Sequence, residues 1–431
     1  MIHPTLKKTL CHALSPRPIV LGLLLGLAGL HLNGQKPPFK TLQGQIVDAK
    51  GEVFIMRGVN WWGANGSQYP YGQGHKGIDT HAMPFGLHVQ HLDSICLAIK
   101  NAGFNTVRLP FSNQMLHDTQ KAKPNWVGPN SGLLGLTPLQ VLDSVVEALT
   151  EQGLFVLLNN HSTTTHWCCN YDYNGLWYGN NKFWPQTTRD WIRDWQMLAL
   201  RFHDNPMVIG ADLRNEVRPL RRRIIPLPKN PTWGGGGKRD WHKAATEAGN
   251  AIHQVNSELL IVVEGINAQA KWLTHLKFPH LKPVRKRPIL LEHPQKVVYE
   301  VHNYGFSWSK ANLARPKRQV RYGQMDTEDR LKQYEDLWGF VTQDDFEYQA
   351  PVVVGEFGCS SEGVESQPWL KDLTSYIGKK GLGFCWWTLE EDLESKGSYG
   401  IMNGQMNKTD VQLDWRWDLL GPLMMESNQE K

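Results

Sequence analysis

Short apolar runs rich in Val, Ile and Leu alternate along this chain with longer segments in which apolar residues recur every three or four positions. The short runs are typical of buried strands, and the longer segments are typical of amphipathic helices. The pattern predicts strands near Ile55 and over 106–109, 154–158, 208–213, 259–263, 296–301, 352–354 and 382–386. It predicts helices over 87–102, 138–151, 188–202, 241–255, 327–340 and 367–378.

Eight strands that are mostly separated by helices predict a parallel sheet, and eight such units predict an α/β fold of the (β/α)8 TIM barrel type. A doubly wound open sheet is the alternative, but the chain lacks the glycine-rich phosphate-binding signature of that fold. A β-hairpin with arms over 43–47 and 53–56 is predicted at the N-terminal side of the barrel.

Two segments interrupt the alternation. Residues 218–239 are rich in Arg, Pro and Gly, and residues 276–295 are rich in Lys, Arg, His and Pro, so both are predicted to be long loops. The first begins where the fourth strand ends, on the C-terminal face of a barrel, where barrel active sites lie. We predict that this loop lines the rim of the site and shapes what the site binds.

The N-terminus has the pattern of a targeting segment. Lys7, Lys8 and Arg17 precede an uncharged apolar run over 19–30. A helix that spans a bilayer needs about 17–25 apolar residues, so this run is short for an anchor. We expect a signal peptide over 1–34 and a secreted protein, with an uncleaved, membrane-anchoring segment as the alternative. The single domain is then expected over 35–425, followed by a C-terminal tail over 426–431.

The composition is that of a globular protein, with 41% hydrophobic and 20% charged residues. The net charge of +5 is small and dispersed, so we expect no nucleic-acid partner. The chain carries no Walker loop, dinucleotide fingerprint or His-Glu-x-x-His motif, and we predict neither a cofactor nor a metal. The 18 tryptophans are unusually numerous, and flat aromatic rings suit the apolar faces of sugars.

Five cysteines follow the apolar run, so at least one of them is expected to lack a partner within the chain. Cys96 lies among apolar helical positions and is predicted to be a buried thiol. Cys359 and Cys385 lie after one strand and within the next, which makes them a candidate disulfide.

Two of the predicted strands end in a glutamate. The run over 207–213 leads into Glu216, and the run over 351–354 leads into Glu356. A carboxylate packs poorly at the end of a buried strand, but a parallel barrel brings such ends together at one mouth. The sequence therefore predicts that these glutamates form a carboxylate pair that converges at one end of the barrel, a position well placed for chemistry.

Nearly every other strand exit also carries a polar or aromatic side chain. These residues are Asn60, Trp62, Arg108, Asn160, His161, Asn215, His302, Asn303, Tyr304, Trp386 and Trp387. A barrel with only a structural role has no need of such groups. Glu264 also lies at a strand exit, where it is either a decoy or a structural partner.

Four motifs resemble glycoside hydrolase family 5, the cellulase family of a large (β/α)8 clan. They are Leu-Arg-Asn-Glu over 213–216, His-Asn-Tyr over 302–304, Gly-Glu-Phe-Gly over 355–358 and Trp-Trp-Thr over 386–388. The resemblance extends over about residues 41–420. Trp167-Cys168-Cys169, with Asn174-Gly175, resembles a branch found in plants and fungi.

The resemblance implies a role for each motif residue. Glu216 matches the acid/base and Glu356 matches the nucleophile. The matched substrate-binding positions are Asn215 for the sugar 2-hydroxyl, Arg108 and Tyr304 beside the nucleophile, the active-site histidines His161 and His302, and Trp387 as the platform under the sugar. Val217 and Asn160 depart from the family pattern, which often has Pro and a carboxylate there, and this leaves the substrate preference open.

The resemblance implies a monomeric, retaining β-glycosidase that acts on a β-linked polysaccharide, oligosaccharide or glycoconjugate. A transglycosylase with the same site and a non-catalytic carbohydrate-binding barrel are the alternatives. Arg108 beside Glu356 is expected to favour the charged form of that carboxyl. Because Glu216 has no obvious cationic partner and lies near this negative charge, its pKa is predicted to be raised.

Overall fold

The computed structural model describes residues 34–66, 81–166, 174–180, 184–218, 231–266, 280–305, 322–389, 399–401 and 414–425, and the statements below concern these ranges. The predicted targeting segment (apart from its last residue), the C-terminal tail and Trp167-Cys168-Cys169 lie outside the described residues.

Eight parallel strands close into a barrel, which confirms the predicted (β/α)8 fold. The strands of the described chain are β1 (Lys40–Leu42), β2 (Gln45–Val47), β3 (Arg57–Asn60), β4 (Thr106–Ser112), β5 (Phe155–Ser162), β6 (Gly179–Asn180), β7 (Pro185–Gln186), β8 (Val208–Asp212), β9 (Leu260–Glu264), β10 (Val297–His302), β11 (Val352–Phe357) and β12 (Gly383–Trp386). Around the barrel the order is β3-β4-β5-β8-β9-β10-β11-β12, and β12 pairs back with β3. Strands that follow one another in the chain are therefore neighbours in space.

All six predicted helices are present. The α-helices of the described chain are α1 (Leu92–Asn101), α2 (Asn113–Leu116), α3 (Pro124–Val127), α4 (Pro138–Glu151), α5 (Thr188–Arg201), α6 (Trp241–His253), α7 (Thr327–Leu337), α8 (Gln367–Lys380) and α9 (Trp415–Met424). Thr137 and Gln140 form a capping box that fixes the start of α4 where the sequence predicts it. Helix α9 was not predicted, and it contains Pro422, a residue type that disfavours the interior of a helix.

The N-terminal hairpin is present, together with a tighter turn that was not predicted. Strands β1 and β2 are joined by Gln43 and Gly44, whose φ angles of 48° and 69° are of the kind that a tight hairpin turn requires. The predicted second arm pairs through a bridge between Val47 and Val53, and the N–H of Phe54 donates to the carbonyl of Ile46 over 2.8 Å. The tighter turn at Gln43 and Gly44 was not predicted, because Gln rarely adopts a positive φ, whereas the stretch over 48–51 is rich in turn-forming residues.

The barrel interior changes character from one end to the other. Its N-terminal end is closed by three packed rings, Phe39, Phe54 and Phe155, which we call the aromatic plug. Apolar side chains continue the interior above the plug, namely Leu157, Ile209, Leu260, Val262, Val298, Val353 and Cys385.

Higher in the barrel, alternate strands contribute buried charges. Arg108 of β4, Asp212 of β8 and Glu300 of β10 contact one another although none of these strands is adjacent to another, so the contacts cross the interior. Alternate strands supply each layer of a barrel interior. We call these three residues the charged layer, and all three are fully buried. The charged layer forms the floor beneath the C-terminal mouth.

The predicted disulfide between Cys359 and Cys385 is absent. Both residues and Cys96 are free, buried thiols. The Cys385 sulfur lies inside the barrel, 3.9 Å from that of Met56, whereas Cys359 follows β11 and its carbonyl accepts from Arg416. Proximity along the chain did not place the two side chains together.

None of the helices within the described ranges combines the length and the apolar character that crossing a bilayer requires.

Candidate active site

Glu216 and Glu356 face one another at the C-terminal mouth of the barrel. A carboxylate oxygen of each lies within 4.8 Å of the other. Both side chains are mostly buried, that of Glu216 being 12% and that of Glu356 6% exposed. The two carboxyl groups that the sequence singles out therefore meet at the C-terminal mouth of the barrel.

A bulge in β11 aims the side chain of Glu356. Val354 pairs with Val301, but the next pair along β10 joins Glu356 to His302, so the register shifts by one residue. Bulges commonly redirect side chains beside active sites. Gly355 is required at the bulge because a Cβ there would lie 1.6 Å from a carboxylate oxygen of Glu300.

Arg108 connects the charged layer to the catalytic pair. Its Nη1 donates to Glu356 Oε1 over 2.8 Å, and its Nη2 donates to Asn215 Oδ1 over 2.8 Å. Its Nε donates to Asp212 Oδ2 over 2.7 Å. The structure thus brings Arg108 to Glu356 as the sequence predicts, and the same guanidinium orients the amide of Asn215.

His302 lies between the two catalytic carboxyl groups. Its Nδ1 is 3.2 Å from Glu216 Oε1 and 3.3 Å from Glu356 Oε2, and its Nε2 is 3.3 Å from Glu300 Oε1. Burial lowers the pKa of His302, but the surrounding carboxylates, Glu264 foremost, raise it well above its ordinary value. The ring is therefore a cation that donates from both nitrogens.

The predicted electrostatics of Glu216 were wrong. Burial raises its pKa, but the hydrogen bond and positive charge of His302, followed by the charges of Arg218 and Arg108, outweigh burial and lower it. The pKa of Glu356 is instead raised, by burial and by the neighbouring carboxylates, although His302 and Arg108 oppose this shift. The cationic partner that the sequence seemed to lack is His302.

Tyr304 completes the surroundings of Glu356. Its hydroxyl donates to Glu356 Oε2 over 3.0 Å. Burial, together with the charges of Glu356 and Glu216, raises the pKa of Tyr304 well above its ordinary value, so the hydroxyl keeps its proton. Arg108 and Tyr304 therefore hold one oxygen each of the same carboxylate.

Aromatic rings form one side of the mouth. Trp387, Trp62, Phe85, Tyr304 and Tyr399 pack together, and we call this set the aromatic wall. The ring of His161 stacks on Trp387 with their centroids 5.5 Å apart, and its Nδ1 lies 2.8 Å from Asn159 Oδ1. Burial and the nearby cations Arg108 and His302 lower the pKa of His161 well below its ordinary value, so this ring is neutral.

The comparison with protein families decides what kind of site this is. The model described as cellulase (glycosyl hydrolase family 5) matches residues 62–392. The chain belongs to glycosyl hydrolase family 5. The predicted family and the predicted enzyme class, a glycoside hydrolase, are thereby confirmed. The comparisons do not bear on the branch that the Trp-Cys-Cys stretch resembles.

Two endoglucanases match half of the chain or more. An endoglucanase of Paenibacillus polymyxa is 30% identical over 365 residues, which cover 83% of this chain and 81% of that protein. The major extracellular endoglucanase of Xanthomonas campestris is 34% identical over 224 residues, which cover 52% of this chain and 40% of that protein.

Solved structures of an endocellulase and an endoglucanase share the fold. The endocellulase of Pyrococcus horikoshii in complex with cellotetraose superposes with a TM-score of 0.70 at 25% identity, covering 91% of this chain and 100% of that chain. The catalytic domain of the Xanthomonas campestris endoglucanase gives a TM-score of 0.70 at 24% identity, covering 89% and 99% of the two chains. At 24% identity, the comparison with the Xanthomonas campestris domain shows only that the fold is shared.

Three carboxyl groups lie beneath this family 5 site that the sequence did not identify as parts of it. Asp212 and Glu300 belong to the charged layer, and Glu264, considered only as a decoy or a structural partner, lies 3.8 Å from His302. A signal was present for Glu300, because it precedes His302 by two positions. Residues two apart in a strand point to the same face.

An acidic cluster surrounds His302 beneath the catalytic pair. In the described part of the chain, two groups have three donor atoms within 4.8 Å, namely Glu216 with His302 and Glu356, and Glu264 with Glu300 and His302. Both groups include His302, whose pKa the surrounding carboxylates raise, so a proton on this ring would compete with a metal ion.

Proposed function

We propose that this family 5 enzyme is a secreted endo-β-glucanase that hydrolyses β-linked glucose chains with retention of configuration. Glu356 is the nucleophile and Glu216 is the acid/base. The observation that carries the proposal is the approach of their carboxylate oxygens to within 4.8 Å. Retaining enzymes place the two carboxyl groups about 5–5.5 Å apart, whereas inverting enzymes need about 6.5–9.5 Å to admit a water.

The first step forms a covalent sugar–enzyme ester. A carboxylate oxygen of Glu356 attacks the anomeric carbon while the bond from that carbon to the leaving oxygen breaks. Glu216 gives its proton to the leaving oxygen, which departs as a hydroxyl group. Arg108 and Tyr304 hold the nucleophile with hydrogen bonds of 2.8 Å and 3.0 Å, so it meets the sugar in one orientation.

The second step releases the sugar. Glu216, now a carboxylate, takes a proton from water as the water oxygen attacks the anomeric carbon, and the ester bond to Glu356 breaks. Glu216 ends the cycle protonated and Glu356 ends it ionised. Two inversions at one carbon give net retention.

The two carboxyl groups are electrostatically coupled, because ionisation of either one raises the pKa of the other. Burial raises the pKa of Glu356, whereas the hydrogen bond and charge of His302 lower that of Glu216 despite its burial. The first step needs the proton on Glu216 and the charge on Glu356.

The relatives and the aromatic wall support a β-glucan substrate. Both relatives named above are endoglucanases, and the Pyrococcus horikoshii endocellulase binds cellotetraose. Trp387 lies 6% exposed at the mouth beside Glu356, where its ring can stack under the sugar at the cleaved bond. Asn215, oriented by Arg108, is placed to contact the 2-hydroxyl of that sugar.

The location of the enzyme is part of the proposal. The charged and then apolar N-terminal sequence supports a signal peptide over 1–34 and a mature enzyme over 35–425 with a short tail. The Xanthomonas campestris relative is described as extracellular. An uncleaved segment that anchors the enzyme to a membrane is the alternative, and N-terminal sequencing of the secreted protein distinguishes the two.

Covalent trapping tests the proposal. The enzyme is incubated with 2,4-dinitrophenyl 2-deoxy-2-fluoro-β-cellobioside. Its fluorine slows both steps, but its good leaving group speeds the first, so the covalent intermediate accumulates. We expect an intact mass increase of one fluorocellobiosyl group and, after digestion, an adduct on Glu356. The Glu356→Ala variant is the control and should acquire no adduct. An adduct on Glu216, or none on an enzyme that hydrolyses cellotetraose, would contradict the assignment.

A further inference from the structure

Glu264 is a fully buried acid that ends β9 directly below Glu216. Its carboxylate accepts a hydrogen bond from the backbone N–H of Glu216. Its own carbonyl accepts from Trp241 Nε1 over 2.9 Å, which ties the end of β9 to the start of α6. The side chain of Glu264 thus contacts the acid/base residue from a backbone position that this hydrogen bond holds.

The backbone at Glu216 needs such a contact. Its φ of 42° lies in the left-handed region, which side chains other than glycine rarely adopt. Leu213 and Asn215 still donate their N–H groups to the carbonyls of Val262 and Asn160 in the flanking strands. At Glu216 the chain has turned away from the strand, and the Glu264 carboxylate accepts the N–H instead. A strained conformation persists only where its surroundings hold it.

The second carboxylate oxygen of Glu264 faces His302, the side chain that contacts the Glu216 carboxyl group. Glu264 Oε1 lies 3.8 Å from His302 Nδ1, the nitrogen that is 3.2 Å from Glu216 Oε1. Glu264 therefore contacts the main chain of Glu216 and the imidazole beside its carboxyl group. The side chain is 0% exposed, so it does not reach the cleft or the sugar.

We propose that Glu264 is the positioning residue of the acid/base, fixing where the Glu216 carboxyl group stands relative to the leaving oxygen. The inference rests on the proposed function, since it assigns Glu264 a part in proton transfer by Glu216. A residue that only stabilises the fold affects every substrate of the folded enzyme alike. A residue that positions the acid affects a substrate in proportion to its need for a proton.

The test compares two substrates of one enzyme sample. Cellotetraose has a poor leaving group and needs the proton from Glu216, whereas 2,4-dinitrophenyl β-cellobioside releases a stable anion and does not. For Glu264→Ala we expect kcat/KM to fall about 100-fold on cellotetraose, the loss that a displacement of about 1 Å can cause. On the dinitrophenyl substrate we expect kcat/KM to stay within a few-fold of the parent enzyme.

Two further substitutions at the same position refine the test. Glu264→Gln keeps an oxygen that can accept the N–H of Glu216, so it should recover most of the cellotetraose activity. Glu264→Asp keeps the carboxyl group but shortens its reach, and its activity should fall between those of the other two. The ratio of the two kcat/KM values does not depend on the folded fraction, so partial misfolding of a variant leaves the test valid.

Asp48 provides the matched control. It is also a fully buried carboxylate that accepts backbone N–H groups, those of Lys36, Lys50 and Glu52 over 2.9, 2.8 and 2.9 Å. It follows β2, which packs with the aromatic plug at the opposite end of the barrel. Asp48→Ala should lower thermal stability and leave the ratio of the two substrates unchanged.

Glu216→Ala separates failure of this inference from failure of the proposed function. It should show the largest loss on cellotetraose relative to the dinitrophenyl substrate. If Glu216→Ala shows no such preference, Glu216 is not the acid and the proposed function is wrong. If Glu216→Ala shows it but Glu264→Ala lowers both substrates equally or neither, Glu264 has only a structural role and the inference alone is overturned.

Discussion

The two ends of the barrel interior differ in polarity, one being apolar and the other charged. At the N-terminal end, the rings of the aromatic plug lie 4.3 and 5.2 Å apart, and each plug residue is at most 3% exposed. At the C-terminal end, Arg108 lies 2.7 Å from Asp212 and 3.2 Å from Glu300, with all three side chains fully buried. The same barrel thus encloses hydrocarbon at one end and charge at the other.

The difference shows which end serves stability and which serves chemistry. Burying a large apolar side chain stabilises a fold by about 1.5–3 kcal/mol, whereas a buried ion pair is often no better than apolar packing. Within the described residues, Glu264 Oε1 lacks a hydrogen-bond partner, and burial raises the pKa of both Asp212 and Glu264 well above the ordinary values. Such a layer is a poor choice for stability alone, but it holds Arg108 and His302 charged beneath the catalytic pair.

Removing the nucleophile should give the largest loss of activity. This loss should come from the charged end alone, without a loss of the fold. Glu356→Ala leaves no oxygen to attack the anomeric carbon, so we expect kcat on cellotetraose to fall on the order of 10⁵-fold or more. Arg108 keeps Asp212 and Glu300 as partners, and the fold should persist. Steady-state kinetics and circular dichroism measure the two properties, and substantial residual activity in a folded variant would refute the role of Glu356.

Truncating a residue of the aromatic plug should lower the stability of the fold and leave kcat unchanged. Phe54→Ala removes a buried ring that packs on Phe39 and Phe155, and we expect the free energy of unfolding to fall by about 3–5 kcal/mol. Because the plug lies at the opposite end from Glu356, kcat per folded molecule should not change. Denaturant unfolding and active-site titration with the fluorosugar test this, and a large loss of kcat in the folded fraction would show that the ends are not independent.

A smaller loss is expected when a single hydrogen bond to the nucleophile is removed. Tyr304→Phe deletes the hydroxyl that donates to Glu356 Oε2, a bond to a charged group worth about 1.5–3 kcal/mol. We expect kcat/KM to fall about 10- to 100-fold with unchanged thermal stability. Unaltered kcat/KM would show that Arg108 alone suffices to orient the carboxylate.

Neutralising His302 should move the pH profile rather than abolish activity. His302→Asn removes a positive charge that lowers the pKa of both Glu216 and Glu356. Both pKa values should therefore rise, and both limbs of the kcat/KM profile should shift to higher pH. The other charged residues around the pair are the same in the parent enzyme and in the variant, namely Arg108, Arg218, Glu264 and Glu300. A shift of either limb to lower pH would contradict the place of His302 between the two carboxyl groups.

Much of the charged end could be read from the sequence. The strand exits placed Glu216, Glu356 and Arg108 at one mouth, because in a parallel barrel every carboxyl end faces the same way. The family resemblance then predicted the contacts of Arg108 and Tyr304 with Glu356, and both are present. The roles of these residues in turnover stay predictions.

What the sequence did not reveal depends on distances between strands. The pKa of Glu216 was predicted in the wrong direction because only the folded barrel shows that His302 lies 3.2 Å away. The tighter hairpin turn depended on a positive φ at Gln43, which its residue type does not signal. Cys359 and Cys385 were paired by their positions in the chain, although only one of them lies inside the barrel.

The loop over 218–239 stays partly a prediction. Arg218 is buried and donates to the carbonyl of Glu216 over 3.2 Å, which places the start of the loop at the site. Residues 219–230 lie outside the described ranges. Shortening this loop should alter the preference among β-linked oligosaccharides more than it alters thermal stability.

The measurement that tests the central claim most directly is the configuration of the azide products. Azide needs no base, so it should restore turnover of 2,4-dinitrophenyl β-cellobioside by Glu216→Ala, attacking the ester on Glu356 and giving the β-azide. With Glu356→Ala no ester forms, and azide can only attack the substrate directly, giving the α-azide. Proton NMR of the two products distinguishes them. An α-azide from Glu216→Ala together with a β-azide from Glu356→Ala would show that the roles of the two glutamates are reversed.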